Sequence, residues 1–160
     1  MKEIELTKGY VTYVDDADYS WLNSVGWCAN VHNKRVYAFR ATSKNRFITT
    51  TYMHRLIMNV TDPKVLVDHK DGNSLNNQRE NLRLATSRQN TWNHGKREGL
   101  TSKYKGVVKT PKGKFNVVMR INGKVTYVGT YDDEVQAALM HDKIVKENRG
   151  EFGRLNFPNN

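Results

Sequence analysis

Residues 67–90 concentrate side chains suited to cutting a phosphodiester. Val67-Asp68-His69-Lys70-Asp71-Gly72-Asn73 sets a carboxylate beside an imidazole and follows them with a Gly-Asn turn. Asn76-Asn77, Asn81-Leu82-Arg83 and Gln89-Asn90 then add spaced amides. An Asp-His pair can hold a metal ion and activate a water, and later amides can finish a metal shell and fix an imidazole. His69 is the candidate general base, because an ordinary histidine pKa of roughly 6.5 leaves a usable neutral fraction at physiological pH. Asp68, one residue earlier on a strand, projects to the opposite face. It therefore suits an ion better than a pairing with the ring. Asn73, Asn76 and Asn77 read as loop architecture, since asparagine is common in turns.

These side chains need a frame. Val65-Leu66-Val67-Asp68-His69 is an apolar run ending in the polar pair, as expected of a strand that delivers side chains at its end. Residues 70–77 read as a loop, and Asn81-Leu82-Arg83-Leu84-Ala85 alternates like a second strand. Thr86 or Ser87 then caps a helix carrying Arg88, Gln89 and Asn90. The order is strand, loop, strand, helix. Upstream, residues 1–53 read as β-rich, with strands at 10–14 and 35–40. Between those strands, Asp16-Ala17-Asp18 opens a short helix through Leu22. Trp21, Leu22 and Trp27 are assigned to the core. Residues 50–58 form a short amphipathic piece, helix or strand, and Pro63 closes it.

Downstream, residues 95–101 read as a linker of glycines and charges. Three strands follow at 104–109, 114–120 and 124–129, with turn signals at Lys112-Gly113 and Asn122-Gly123. Asp132 or Asp133 caps a helix running to about Asn148, and Gly150 stands beyond its end. Strand alternation places Phe115, Val117 and Met119 on one face and Lys114, Asn116, Val118 and Arg120 on the other. Lys103, Lys105, Val107 and Lys109 share a face, as do Lys124, Thr126 and Val128. The expected result is a sheet with one apolar face and one face of Lys, Arg, Asn and Thr. The helix is expected to cover the apolar face with Val135, Ala138, Leu139 and Ile144 or their near neighbours. The DNA-binding candidates are Lys103, Lys105, Lys109, Lys114, Asn116, Arg120, Lys124 and Thr126, a face that suits a DNA major groove.

Charge supports a polyanionic partner. The 160 residues carry a net charge of +10, with 38% hydrophobic and 26% charged residues, a balance typical of a folded soluble chain. Residues 96–124 hold nine Lys and Arg against Glu98 alone, so the densest basic patch lies outside the Asp-His region. Binding and chemistry therefore read as separate modules. Cys28 is the single cysteine, which excludes an intrachain disulfide and a thiolate zinc ribbon. A reducing cytoplasmic compartment is the expectation. The N-terminus lacks the apolar stretch of a signal peptide, and no apolar run reaches the ~20 residues of a membrane span.

Residues 54–94 resemble an HNH nuclease module of the homing-endonuclease type, the ββα-metal or His-Me finger fold. The likeness rests on His54-Arg55-Leu56-Ile57, Val67 to Asn73, Asn76-Asn77, Glu80 to Arg83 and Gln89-Asn90. Val14 to Leu22 and Trp27 also resemble the leader before such modules in phage and intron enzymes. The resemblance implies that Asn81 accepts a hydrogen bond from His69 and fixes its tautomer, and that Asn90 joins Asp68 as the second metal ligand. Many HNH modules place a histidine where this chain has Asn90, so an all-oxygen shell is implied, suited to one magnesium or manganese ion. His54, Arg55, Arg83 and Arg88 are expected to support the site or touch phosphate. Residues 102–157 resemble the plant ethylene-response-factor, or Apetala-type, DNA-binding domain. That likeness rests on Ser102 to Val107, Tyr127 to Tyr131, Ala137 to Asp142 and Leu155 to Pro158. His141 stands where that family packs an aromatic against the sheet.

The expected architecture is α+β: a β-rich segment 1–53, an HNH module 54–94, a linker 95–101 and a DNA-binding domain 102–158. The expected function is metal-dependent cleavage of double-stranded DNA by a homing or mobile-element nuclease with no membrane association. The alternative is a non-catalytic DNA-binding protein or regulator that keeps the HNH fold as scaffold. Monomer and homodimer are both compatible with the sequence.

Overall fold

Short strands with few apolar positions cannot build a wide sheet. Among the described residues the chain makes four antiparallel sheets of two or three strands, with four α-helices, an α+β fold. The computed structural model describes residues 1–33, 35–96 and 98–159, with Lys44 by its backbone alone. Two units form, Met1–Ser87 and Arg88–Asn160. No helix among the described residues is long and apolar enough to cross a membrane.

In the first unit β1 (Lys2–Glu5) pairs with β2 (Val11–Val14). Alternation turns Thr12 and Val14 inward, and both are fully buried. α1 (Asp16–Asn23) carries Asp16 and Asp18 in its first turn, which complements the helix dipole. Leu22 takes the inward position of α1. Trp21, expected in the core, is turned roughly 100° from it on the helix and is 42% exposed. Trp27 is buried and donates its indole N–H to the Leu22 carbonyl at 2.8 Å. β3 (Cys28–His32), β4 (Arg35–Lys44) and β5 (Phe47–Tyr52) form a meander. The chain then passes directly into α2 (Met53–Ile57), so residues 50–58 are strand and then helix. Met53 and Ile57 join Val14, Leu22 and Trp27 in one core.

That core backs the second hairpin of the unit. β6 (Leu66–His69) pairs with β7 (Leu82–Ala85), with Asp68 opposite Arg83 and His69 opposite Leu82. α3 (Ser87–Asn93) follows, giving the strand, loop, strand, helix order read from the sequence.

The second unit begins in the first turn of α3 rather than in residues 95–101. The reason lies in the end of α3. The Trp92 carbonyl takes the Lys105 ammonium at 2.7 Å and the Arg154 N–H at 3.3 Å, and the Arg149 guanidinium lies 5.5 Å from the Trp92 ring centre. Arg97 of the expected linker lies outside the described residues. β8 (Val107–Lys109), β9 (Phe115–Ile121) and β10 (Lys124–Tyr131) form a sheet in the order β10-β9-β8. Gly113, Asn122 and Gly123 adopt positive φ at its two turns.

α4 (Glu134–Arg149) is capped by Asp133, which accepts from the Gln136 N–H at 2.7 Å. It covers the sheet with Ala137, Ala138, His141 and Val145. Val135 and Leu139, expected on that face, are instead 41% and 38% exposed. The adjacent small residues Ala137 and Ala138 bring the helix close and set its rotation. Gly106 is required here: a Cβ at this position would lie 2.1 Å from the His141 ring.

Candidate active site

His69 ends β6 and is buried, as is Asp68 beside it. The ring sits in an aromatic pocket, 5.3 Å between centres from His54 and 6.3 Å from Tyr37. Its Nε2 lies 3.1 Å from Asn77 Oδ1. Asn77 donates its amide N–H to Thr12 Oγ1 at 2.7 Å, and Thr12 donates its hydroxyl to the Leu75 carbonyl at 2.7 Å. Burial lowers the His69 pKa, against the opposing effects of the Asn77 hydrogen bond and the Asp71 and Asp68 carboxylates. His54, on α2, is pushed down to about 3 by burial, with the charges of His69 and Arg55 acting the same way. It is a neutral packing partner of His69 rather than an exposed phosphate contact.

Asn81 stands elsewhere in the network. Its Oδ1 accepts from the Asp71 N–H at 3.1 Å, and its Nδ2 donates to Asp71 Oδ1 at 3.0 Å and the Asn76 carbonyl at 2.8 Å. Asp71 also accepts from the Asn73 N–H and from Asn76 Nδ2. Asn81 therefore braces the 70–77 loop, and the amide set against His69 Nε2 is that of Asn77. Asn77, which reads as loop architecture in the sequence, is thus part of the site. One signal could have found it: Thr12 shares a strand face with Val14, and a hydroxyl on an inward face needs a buried polar partner.

Asp68 Oδ2 receives Arg83 Nε at 2.9 Å and Arg83 Nη2 at 2.8 Å. Both side chains are buried, so Arg83 supports Asp68 and is not a solvated charge. Arg55 donates to the Val65 and Asp62 carbonyls, each at 2.7 Å, and braces the entry to β6. The N-terminal segment holds the far end of the loop. Asp15 accepts from Gln78 Nε2 and the Arg79 N–H, and buried Asp18 takes Arg79 Nε and Nη2, each at 2.7 Å. Asn90 lies half-buried on α3 and Arg88 is exposed there, both in the second unit.

The sheet of the second unit presents a different surface from the one expected. Val107 is buried opposite Val117, and Lys109 stands opposite Phe115, so β8 turns Val108 outward and sets Lys109 at the core-side rim. Thr126 opposes buried Met119, and Lys124 opposes Ile121, which puts both on the α4 side. The outer face is Val108, Asn116, Val118, Arg120, Val125, Tyr127 and Thr130. Alternation holds within each strand, with Val107 beside Lys109 and Lys124 beside Thr126, but both pairs lie on the α4 side; the bulge between Tyr127 and Gly129 shifts the phase only of the β10 residues after it. Lys105 is also inward. Its ammonium donates to the Trp92 and His94 carbonyls, and burial pulls its pKa down to about 8. Asn116 and Arg120 face outward as expected, Lys103 is exposed beside the Tyr104 ring, and Lys114 pairs with Asp132 at 2.9 Å.

Residues 52–91 match the HNH endonuclease family. The match spans α2, β6, the bridging loop, β7 and most of α3, the elements that carry His54, Asp68, His69, Asn77, Asn81 and Asn90. Over 106 residues the chain is 34% identical to an uncharacterized HNH endonuclease of Acanthamoeba polyphaga mimivirus. That alignment covers 66% of this chain and 54% of the viral protein, so the chain spans about half the length of the curated relative it matches. No solved structure matches. HNH endonucleases generally depend on a divalent metal. Among the described residues no three His, Cys, Asp or Glu side chains cluster as ligands. The donor chemistry of the HNH segment nevertheless fits a hard cation. Asp68 gives one buried carboxylate, and such ions are commonly held by one or two carboxylates together with substrate phosphates and waters.

Proposed function

We propose that this chain is a metal-dependent endonuclease that hydrolyses phosphodiester bonds in double-stranded DNA, of the homing or mobile-element type. The observation that carries the reading is a buried His69 at the end of β6, held at Nε2 by Asn77 and adjacent to Asp68, inside the segment matching the HNH family. His69 takes the proton of the attacking water. Its lowered pKa keeps the ring neutral at physiological pH, with a lone pair to accept that proton. Asp68, with Asn90 on the strength of the sequence motif, holds one magnesium or manganese ion. When bound, that ion supplies positive charge to the phosphate and the departing oxygen. Arg83 fixes the Asp68 carboxylate, and Asn81 fixes the loop. The outward Arg120 and Asn116, with exposed Lys103, hold the duplex, and phosphate contacts from such residues make binding salt-dependent.

Incubation of supercoiled plasmid with the wild type and with His69→Ala, with and without magnesium or manganese at low salt, tests this. Metal-dependent nicking or linearisation by the wild type alone is expected. Equal cleavage by a clean His69→Ala preparation would sink the mechanism. One observation favours a second reading, a DNA-binding protein that keeps the HNH fold as scaffold: Arg83 already neutralises Asp68 in a buried pair. That reading expects DNA to shift in a gel with no product at any metal concentration.

A further inference from the structure

The hydrogen bonds that run from the Leu75 carbonyl through Thr12 and Asn77 to His69 have one direction, and that direction selects a ring nitrogen. The chain ends at the Leu75 carbonyl, which can accept and cannot donate. Thr12 Oγ1 lies 2.7 Å from it, so the single hydroxyl proton of Thr12 points there. Thr12 Oγ1 can then only accept along the chain, and what it accepts is an N–H of Asn77 at 2.7 Å. This fixes the amide: Nδ2 faces Thr12 and Oδ1 faces the ring. A flipped amide would set a carbonyl oxygen against Thr12, whose one proton cannot serve that oxygen and Leu75 together. Asn77 Oδ1 is an acceptor, so the group at His69 Nε2, 3.1 Å away, must be N–H. In the neutral ring the lone pair then resides on Nδ1.

The network is shielded from bulk solvent. Thr12 is 0%, Asn77 1% and His69 6% exposed. The backbone locks the same three segments together. The Tyr13 N–H donates to the Leu75 carbonyl at 2.8 Å, and the Asn77 N–H donates to the Tyr13 carbonyl at 2.7 Å. Tyr13 and Asn76 thereby form a parallel bridge. Thr12 lies outside residues 52–91, on a strand that the family match does not reach.

We infer that Thr12, acting through Asn77, is a positioning residue that holds His69 as the Nε2–H tautomer and makes Nδ1 the atom that takes the proton from water. The catalytic part of this statement rests on the nuclease reading above; the tautomer part does not.

Nitrogen-15 NMR of the histidine-labelled full chain, without added metal and at a pH where His69 is neutral, reads the tautomer directly. The wild type should show a protonated Nε2 and a bare Nδ1 at His69. Thr12→Val keeps the side-chain shape and removes the oxygen. It should mix the two tautomers and lower kcat by about ten- to a hundredfold, the usual effect of losing an outer partner, with DNA affinity unchanged. Thr12→Ser restores the oxygen and should restore both readings. A protonated Nδ1 in the wild type overturns the inference without any variant. So does a folded Thr12→Val protein that keeps the Nε2–H tautomer and full kcat. A wild type that shows the Nε2–H tautomer, loses it on Thr12→Val, and cuts no DNA with either metal would keep the tautomer assignment and remove the nuclease reading instead.

Discussion

The surroundings of His69 and the outer face of the β8–β10 sheet are built on opposite plans. Around His69 the polar side chains of Asp68, Asn77, Thr12, Asn81 and Arg83 are buried and hydrogen-bonded. On the sheet Arg120, Val125 and Tyr127 are exposed, and the local bonds are few. Thr130 donates to Asn116 Oδ1 at 2.6 Å, and Arg120 reaches back to the Gly123 carbonyl. Proton transfer needs a ring held to a fraction of an ångström, and buried, hydrogen-bonded side chains supply that. Holding a charged duplex needs accessible donors and charge that work over longer distances. Substitutions in the first region should therefore change kcat or stability, and those in the second should change salt-dependent binding.

The largest effect should come from His69→Ala, which should lower kcat by about 10²- to 10⁴-fold, the usual contribution of a general base, while a gel-shift titration returns wild-type DNA affinity. Loss of binding together with cleavage would blur the two plans. Next is Arg83→Ala. Removing one partner of a buried ion pair costs about 3–5 kcal/mol, so thermal unfolding of this variant should show a large drop in Tm; an unchanged Tm would mean the Asp68 pair is solvated. His54 gives a third test. Its folded pKa of about 3 lies below the ordinary value of 6.5, so the unfolded chain binds more protons between these values. Its contribution is present above pH 6.5 and is lost as pH falls, by about 1.4 kcal/mol per pH unit. Denaturant unfolding of His54→Phe across this window should show a flatter pH dependence than the wild type. The smallest effects belong to the sheet. Arg120→Ala should reduce the slope of log affinity against log salt by about one, whereas Lys124→Ala, on the α4 side, should leave it unchanged. A slope lowered by Lys124→Ala and not by Arg120→Ala would reverse that face assignment.

The two regions also differ in how far the sequence revealed them. The β6–loop–β7–α3 order was legible because an apolar run ends in a polar pair and the next alternation starts at Asn81. The acceptor at His69 was not: the inward-facing Thr12 hydroxyl signals a buried polar partner, but Thr12 is distant along the chain and nothing local names Asn77 as that partner. On the sheet, the hairpin turns and the Asp133 cap were legible from Gly, Asn and Asp chemistry. The face of β8 was not, since two lysines precede it in a turn where strand alternation does not apply. The β10 bulge is likewise a product of pairing, invisible to a count along one strand. Lys105 shows the same limit: a lysine in a basic run looks solvated until the carbonyls of Trp92 and His94 close on it.

The parallel bridge between Tyr13 and Asn76 has a consequence for autonomy. The forty matched residues carry the proposed reacting groups, yet the loop in their middle is tied to β2 and α1 through Thr12, Tyr13, Asp15 and Asp18. Excised alone, that stretch would keep His69 but leave the loop free to sample many conformations, with an entropy cost of about 1–2 kcal/mol for each residue that substrate then had to order. The N-terminal strand bears that ordering during folding. In exchange between proteins, the unit of inheritance should therefore be β1 through α3 and not the matched segment by itself.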